Sequence, residues 1–200
     1  MQDIEPYWRW RDHYRSDEDE HSPFYGRQYS ETQYSQTVYN YYIHPQWDGF
    51  GSETLYAKQI YTDYEQRYVI FELLGEWNDT LNNDVMHFKR NVIDPLIAAG
   101  IRKFVLICEN VLTFHGAEDD YYQEWYEDVA EVSGWICMIN LQPHVEDEMR
   151  DANLKAYVTL GDALNEVNWR PHKPQLFHQV LDTLLTQEVK ELDEGWYVDS

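Results

Sequence analysis

The chain has 200 residues, 43% of them hydrophobic, and a formal net charge of −22. That length suits one domain with an appendage or two small ones, and the apolar content is enough to bury a core. The acidic balance opposes binding to nucleic acid or anionic lipid, both of which need positive charge, and it favours basic partners. No apolar run approaches the roughly 20 residues of a membrane-spanning helix.

The first residues, Met1 to Pro6, lack the basic and apolar regions of a signal peptide, so a cytoplasmic location is expected. Residues 1–52 form an arm of unusual composition. Tyr7, Trp8, Trp10, Tyr14, Phe24, Tyr25, Tyr29, Tyr34, Tyr39, Tyr41, Tyr42, Trp47 and Phe50 crowd it, while aliphatic side chains are scarce. Disordered segments are poor in aromatics, so parts of the arm should lie on a folded surface. Thr37 to Ile43 has strand chemistry and ends before Pro45. It suits an added edge strand or an arm crossing to a second copy of the chain.

Residues 53–187 read as an α/β domain. Leu55 to Tyr64 alternates as a strand and leads through a short polar turn into the apolar run Tyr68–Leu74, which predicts a hairpin. Asn78 or Asp79 can cap a helix, with Leu81, Val85, Phe88, Val92 and Leu96 as its inward stripe, Pro95 as a kink risk and Gly100 as its end. Phe104–Cys108 is the next strand, followed by a loop over 109–116 and a helix over 117–132 with Tyr122, Trp125, Tyr126 and Val129 on one face. A strand over 135–141, a helix over 144–153 with Val145, Met149 and Ala152 inward, a short strand within 155–160, a turn capped by Asp162 and a helix opened by Pro174 complete the series. Residues 188–200 read as a loose acidic tail whose Trp196 and Tyr197 can dock on the domain. Strands alternating with helices imply a mixed, mostly parallel sheet covered by helices. Cys108 and Cys137 fall inside apolar strands and read as reduced core thiols.

In such sheets ligands and partners meet the carboxyl ends of the strands. The candidate surface there comprises Glu76, Trp77, Asn78, Glu109, Asn110, Phe114, His115, Glu118, Asp119, Asn140, Gln142 and His144. With Glu109 or Asp119, His115 and His144 are weak candidates for a metal site, since no His-x-x-x-His stands on a helix. The pattern therefore implies no cofactor and no resident metal. There is no Gly-x-Ser-x-Gly elbow, phosphate-binding loop or dinucleotide fingerprint. Asn78, Asp79 and Thr80 match a glycosylation acceptor pattern, but a helix cap is the better reading.

Over about residues 54–187 the element order resembles the STAS domain of anti-sigma-factor antagonists and sulfate-transporter tails. Val69 to Glu76 resembles the family's apolar strand ending in Gly-Glu, and Ala98 to Leu106 its helix end, turn and next strand. The resemblance implies a regulatory protein-interaction module rather than an enzyme. In the regulatory antagonists a Thr-Phe-x-Asp-Ser-Ser stretch carries a phosphorylated serine at the start of the second helix. Here Thr113 and Phe114 are followed by Gly116, Ala117 and Glu118, so the acceptor hydroxyl is missing. Glu118 and Asp119 instead place fixed negative charge there, either as a standing mimic of the phosphorylated state or as ordinary first-turn acids favoured by the helix dipole. The leading expectation is a non-catalytic module that binds a protein with a basic or mixed surface. The alternatives are a small-ligand or weakly metal-dependent protein using the same strand ends, and a homodimer built by exchange of the arm.

Overall fold

The computed structural model describes residues 4–195, with side chains up to Leu185. Its centre is a five-stranded sheet in the order β3 (Leu55–Asp63), β4 (Tyr68–Asn78), β5 (Lys103–His115), β6 (Trp135–Ile139), β7 (Thr159–Leu160). β3 and β4 are the expected antiparallel hairpin, and β4 to β7 run parallel. This is a mixed, mostly parallel α/β sheet. No helix among the described residues is long and apolar enough to cross a membrane.

Because the strands are added in one direction, the right-handed connections between parallel neighbours all pass over the same face. That face holds α1 (Asp79–Asn82), α2 (Asp84–Phe88), α3 (Asp94–Ala98), α4 (Asp120–Ala130) and α5 (Pro143–Asp151). Their buried side chains, among them Phe88, Leu96, Trp125, Val145 and Met149, pack with Val92 of the turn between α2 and α3 on Val69, Phe71, Phe104, Leu106, Ile136 and Met138 of the sheet.

The stripe expected to form one helix after β4 is broken in two places. Asn83 adopts a left-handed backbone (φ 51°) and separates α1 from α2. A π-helical turn, Lys89–Ile93, then joins α2 to α3 immediately before Asp94 and Pro95. Proline has no amide hydrogen and its ring crowds the carbonyl four residues back, and the wider turn relieves both. The same turn brings Lys89 inside, where its ammonium bonds to Asp94, to Glu124 (3.3 Å) and to Asp128 (2.8 Å).

The opposite face would be bare without the two ends of the chain. α6 (Pro174–Gly195) lays Phe177, Leu181 and Leu185 on Tyr68, Ile70, Val105, Ile107, Cys137 and Ile139. α6 therefore extends into the stretch read as a tail, while Trp196 and Tyr197 lie outside the described residues. The arm completes the cover. Trp10 is buried against Trp169 (5.4 Å between ring centres) and Phe177, and its indole N–H donates to the carbonyl of His172 at 3.0 Å. Farther along, Val38, Ile43 and Trp47 pack on Tyr56 and Leu74. Thr37–Val38 (β1) and Tyr41–Tyr42 (β2) pair with each other rather than with β3. The arm meets the sheet edge through a bridge between Asp48 and Ala57.

If the arm is one wall of the core, truncating its central ring should act like a core deletion. Trp10→Ala should lower the unfolding free energy by about 3–5 kcal/mol. Trp8→Ala, at a position 56% exposed, should leave it within about 0.5 kcal/mol. Urea unfolding of both variants checks the pair.

Candidate functional site

The sheet does gather the expected residues at one end, because β4 and β5 outrun their neighbours. The stretch after Cys108 is strand rather than loop: Glu76, Trp77 and Asn78 pair with Thr113, Phe114 and His115 to make a projecting ribbon. The pairing shifts register between Glu72 and Leu74 and again between Gly75 and Glu76, irregularities of the kind that raise local twist. Gly75 is required at the bend. Its φ is +125°, and a Cβ there would lie 2.0 Å from the carbonyl oxygen of Thr54.

Trp77 and Phe114, expected on the rim, are buried in the core and pack edge to face at 6.1 Å. The alternation of β4 explains this, since Val69, Phe71, Leu73 and Trp77 all fall on the helix-covered face. Asn78 is also buried and works as the cap of α1, its side-chain oxygen accepting from the Leu81 N–H at 2.9 Å. These three therefore build the base of the rim and do not offer contacts.

Under the rim lies a buried carboxylate. Asp79 accepts from the Trp77 indole (3.0 Å), the Val85 N–H (2.8 Å) and the Tyr122 hydroxyl (2.6 Å). Burial lifts its pKa to about 6 against the pull of those donors.

Other expected residues hold loops in place. Asn140 donates to the carbonyls of Asn165 and Val167 at 3.1 and 3.0 Å. Gln142 donates to the Glu109 carbonyl at 3.2 Å. Asp119 accepts from the Tyr157 hydroxyl at 3.0 Å, and a His144 ring nitrogen lies 2.7 Å from the Leu112 carbonyl, so it is the N–H donor there. Asn110 is half-buried on β5, and Glu109 forms an ion pair with Arg170.

The outer surface of the rim is made by His115 to Glu118, an exposed run joined to α1 by the Thr80 hydroxyl, which donates to the Gly116 carbonyl at 2.8 Å. His115 stands 3.6 Å from Glu76. Gly116 is packed so that a Cβ would meet Ala152 at 2.8 Å, which fixes the run against α5. Leu81, expected on the inward helical stripe, is 81% exposed beside this run. The left-handed Asn83 ends α1 after one turn and leaves Leu81 facing outward. The asparagine pair at 82 and 83 was the available sign of that break.

The metal-like geometry lies elsewhere. Among the described residues Asp94, Glu124 and Asp128 bring three carboxylates together, and the Lys89 ammonium already bonds to all of them.

A second polar region was not foreseen. On the face covered by the arm, Glu72 is buried in mid-strand and accepts from the Tyr7 N–H at 2.6 Å. Burial raises its pKa to about 7, with Glu109 adding to the rise and the Tyr7 N–H and Arg170 opposing it. Beside it, between the arm and β3, is a cleft of about 530 Å³ lined by Tyr7, Arg11, Tyr29 and Lys58 among others. Nothing in the period of the strands marks this place, because most of its residues come from separate turns of the arm that meet β3 and β4 only in the fold.

No family model matches the chain, and no curated protein sequence matches it. Solved structures do. The anti-sigma factor antagonist SpoIIAA in its unphosphorylated form aligns over 54% of this chain and 89% of its own at 11% identity, with a TM-score of 0.43. A Thermotoga maritima protein described as an anti-sigma factor antagonist aligns over 48% of this chain and 82% of its own at 17% identity and a TM-score of 0.38. The NMR structure of that protein aligns over 67% and 94% at 19% identity and 0.41.

Two predictions follow from the burial of these groups. Trp77→Ala should cost about 3–5 kcal/mol, read by chemical unfolding, rather than act as a silent surface change. Glu72 and Asp79 have folded pKa values above their ordinary 4.5 and 3.8. The folded state therefore binds more protons than the unfolded one between those values, and their contribution is full at low pH and is lost as pH rises toward 7. For Glu72 alone the range is roughly 3 kcal/mol. Glu72→Gln, which cannot ionise, should flatten the fall in stability between pH 5 and 8 (~5 to ~8).

Proposed function

We propose that this chain is a non-enzymatic protein-interaction module, regulatory in role, that binds a partner with a basic surface through the outer rim of the β4–β5 ribbon. The observation that carries the reading is Leu81. A single exposed leucine is ordinary on a protein surface. This one is held outward by a capped turn whose neighbour Asp79 takes three hydrogen bonds, and by the tie from Thr80 to Gly116. An apolar contact presented on a rigid base loses little entropy when it is covered. The run to which Thr80 ties α1 carries His115, which stands 3.6 Å from Glu76, and Glu118, with Asp119 and Asp120 following at the start of α4. This acidic border, on a chain of net charge −22, steers and orients a basic partner.

The missing serine is consistent with an interaction that does not depend on phosphorylation at this loop. Gly116 has no room for a larger side chain, and Ala117 carries no hydroxyl. The fixed charge of Glu118 then acts at all times.

Affinity capture from extracts of the native host tests the reading. Leu81→Ser and Glu118→Lys should each abolish capture of the partner that the unaltered chain retains, and capture should weaken as salt is raised. Both positions are exposed, so the unfolding free energy should stay within about 0.5 kcal/mol. A partner retained equally by the unaltered chain and both variants would place the contact elsewhere.

A further inference from the structure

Four of the chain's 15 lysines and arginines, Arg11, Arg15, Arg27 and Lys58, line the cleft between the arm and β3. They stand against three carboxylates there, Asp12, Asp17 and Glu31. With Asp48 bonded to Lys58 and Arg27, cations and carboxylates are here in balance, on a molecule that otherwise carries a large excess of acids. The volume, about 530 Å³, falls within the roughly 300–1,000 Å³ of small-molecule sites.

The cations are unequally satisfied. Asp48, itself buried, takes the Lys58 ammonium at 3.1 Å, Arg27 at 3.4 Å and the Tyr29 hydroxyl at 2.8 Å. Among the described residues the Lys58 ammonium has that one oxygen partner, and it sits 3.6 Å above the Tyr29 ring. An ammonium has three N–H groups, and leaving donors without acceptors in a buried place is costly. Arg11 has five side-chain N–H groups and, among the described residues, one side-chain bond, to the exposed Glu5. The Ser16 hydroxyl, buried beside Tyr29, makes no hydrogen bond of normal length among the described residues. Burial draws the Lys58 pKa down and the Arg11 charge adds to the fall, while Asp48 opposes it. Two like charges thus face one space with donors to spare.

We propose that this cleft binds a small organic dianion, a phosphate monoester or a dicarboxylate, with its charge between Arg11 and Lys58 and its apolar part against Tyr7 and Tyr29. A dianion completes the donors of both cations and relieves their mutual repulsion. The guanidinium fork suits either head group, since both present paired oxygens. Aromatic walls accept a flat or apolar body at little entropic cost. Binding would also brace the arm, because Arg11 comes from the arm and Lys58 from the sheet.

Calorimetric titration of the whole chain tests this with three probes: phenyl phosphate, isophthalate and the neutral benzyl alcohol. At least one of the two anions should bind saturably with a stoichiometry near one (~1), and benzyl alcohol should not. Whichever anion binds tighter identifies the head group. Lys58→Met leaves Asp48 short of its ammonium and is expected to harm folding, so Arg11→Gln is the deciding variant. It should keep the unfolding midpoint and weaken the anion by about tenfold or more. Saturable binding of neither anion, equal binding of benzyl alcohol, or an unchanged affinity in Arg11→Gln would each overturn the proposal.

Discussion

Three parallel connections in succession cross the sheet in the same direction, and their common hand sends every one of them over the same face. A sheet built this way has one face fully clothed by its own crossovers and one face that the crossovers never reach. Tyr68, Ile70, Val105, Ile107, Cys137 and Ile139 line that second face, and all are apolar or aromatic. Water contact there would expose a large continuous patch, which soluble proteins rarely tolerate. The chain meets the need from both ends, with α6 laid over one part and the aromatic arm over the rest. The composition of the arm follows from this duty. Flat rings cover much area per residue without the regular spacing of a helix, and their polar edges can bond to loop carbonyls, as Trp10 does with His172.

The cover is not uniformly apolar. Two greasy regions, one around Trp10 and Trp169 and one around Val38 and Trp47, are separated by a polar seam containing Lys58, Glu72 and Asp48. Buried charges of this sort contribute little net stability, because desolvation offsets the attraction between them. They do restrict how the arm can lie, since Glu72 must meet the Tyr7 N–H and Asp48 must meet Lys58, Arg27 and Tyr29 together. The seam is also where room for a ligand opens. Side chains that come from different turns of an irregular segment do not close on one another as tightly as the two faces of regular elements do.

The same tension between burial and polarity shapes the ribbon end. Asp79 is fully engaged inside the molecule, and the residues that hold it, Trp77 and Tyr122, spend their polar atoms on it. What remains outside is Leu81 with His115 to Glu118, a small surface with a rigid floor. On the helix side Lys89 plays a comparable part. Its ammonium, drawn in by the π-helical turn, ties α2 and α3 to α4 through three acids.

Periods of two and of about 3.6 are local properties of a chain, so the hairpin at Leu55–Tyr68, the order of strands and helices, and the buried state of Val145, Met149 and Phe177 were all legible from residues alone. A cap at Asn78 or Asp79 was legible for the same reason, being set by a side chain and an amide a few residues away, and the fold assigned it to Asn78. The continued alternation from Val69 to Trp77 carried the signal that Trp77 faces the core, provided the strand was taken to its full length. That length was settled only by pairing with Thr113 to His115, a contact between distant segments. The outward turn of Leu81, the trapping of Lys89 among Asp94, Glu124 and Asp128, and the meeting of Arg11 with Lys58 were likewise decided in three dimensions. Each depends on a backbone break or on packing between segments far apart in the chain, and neither leaves a periodic trace in the order of the amino acids.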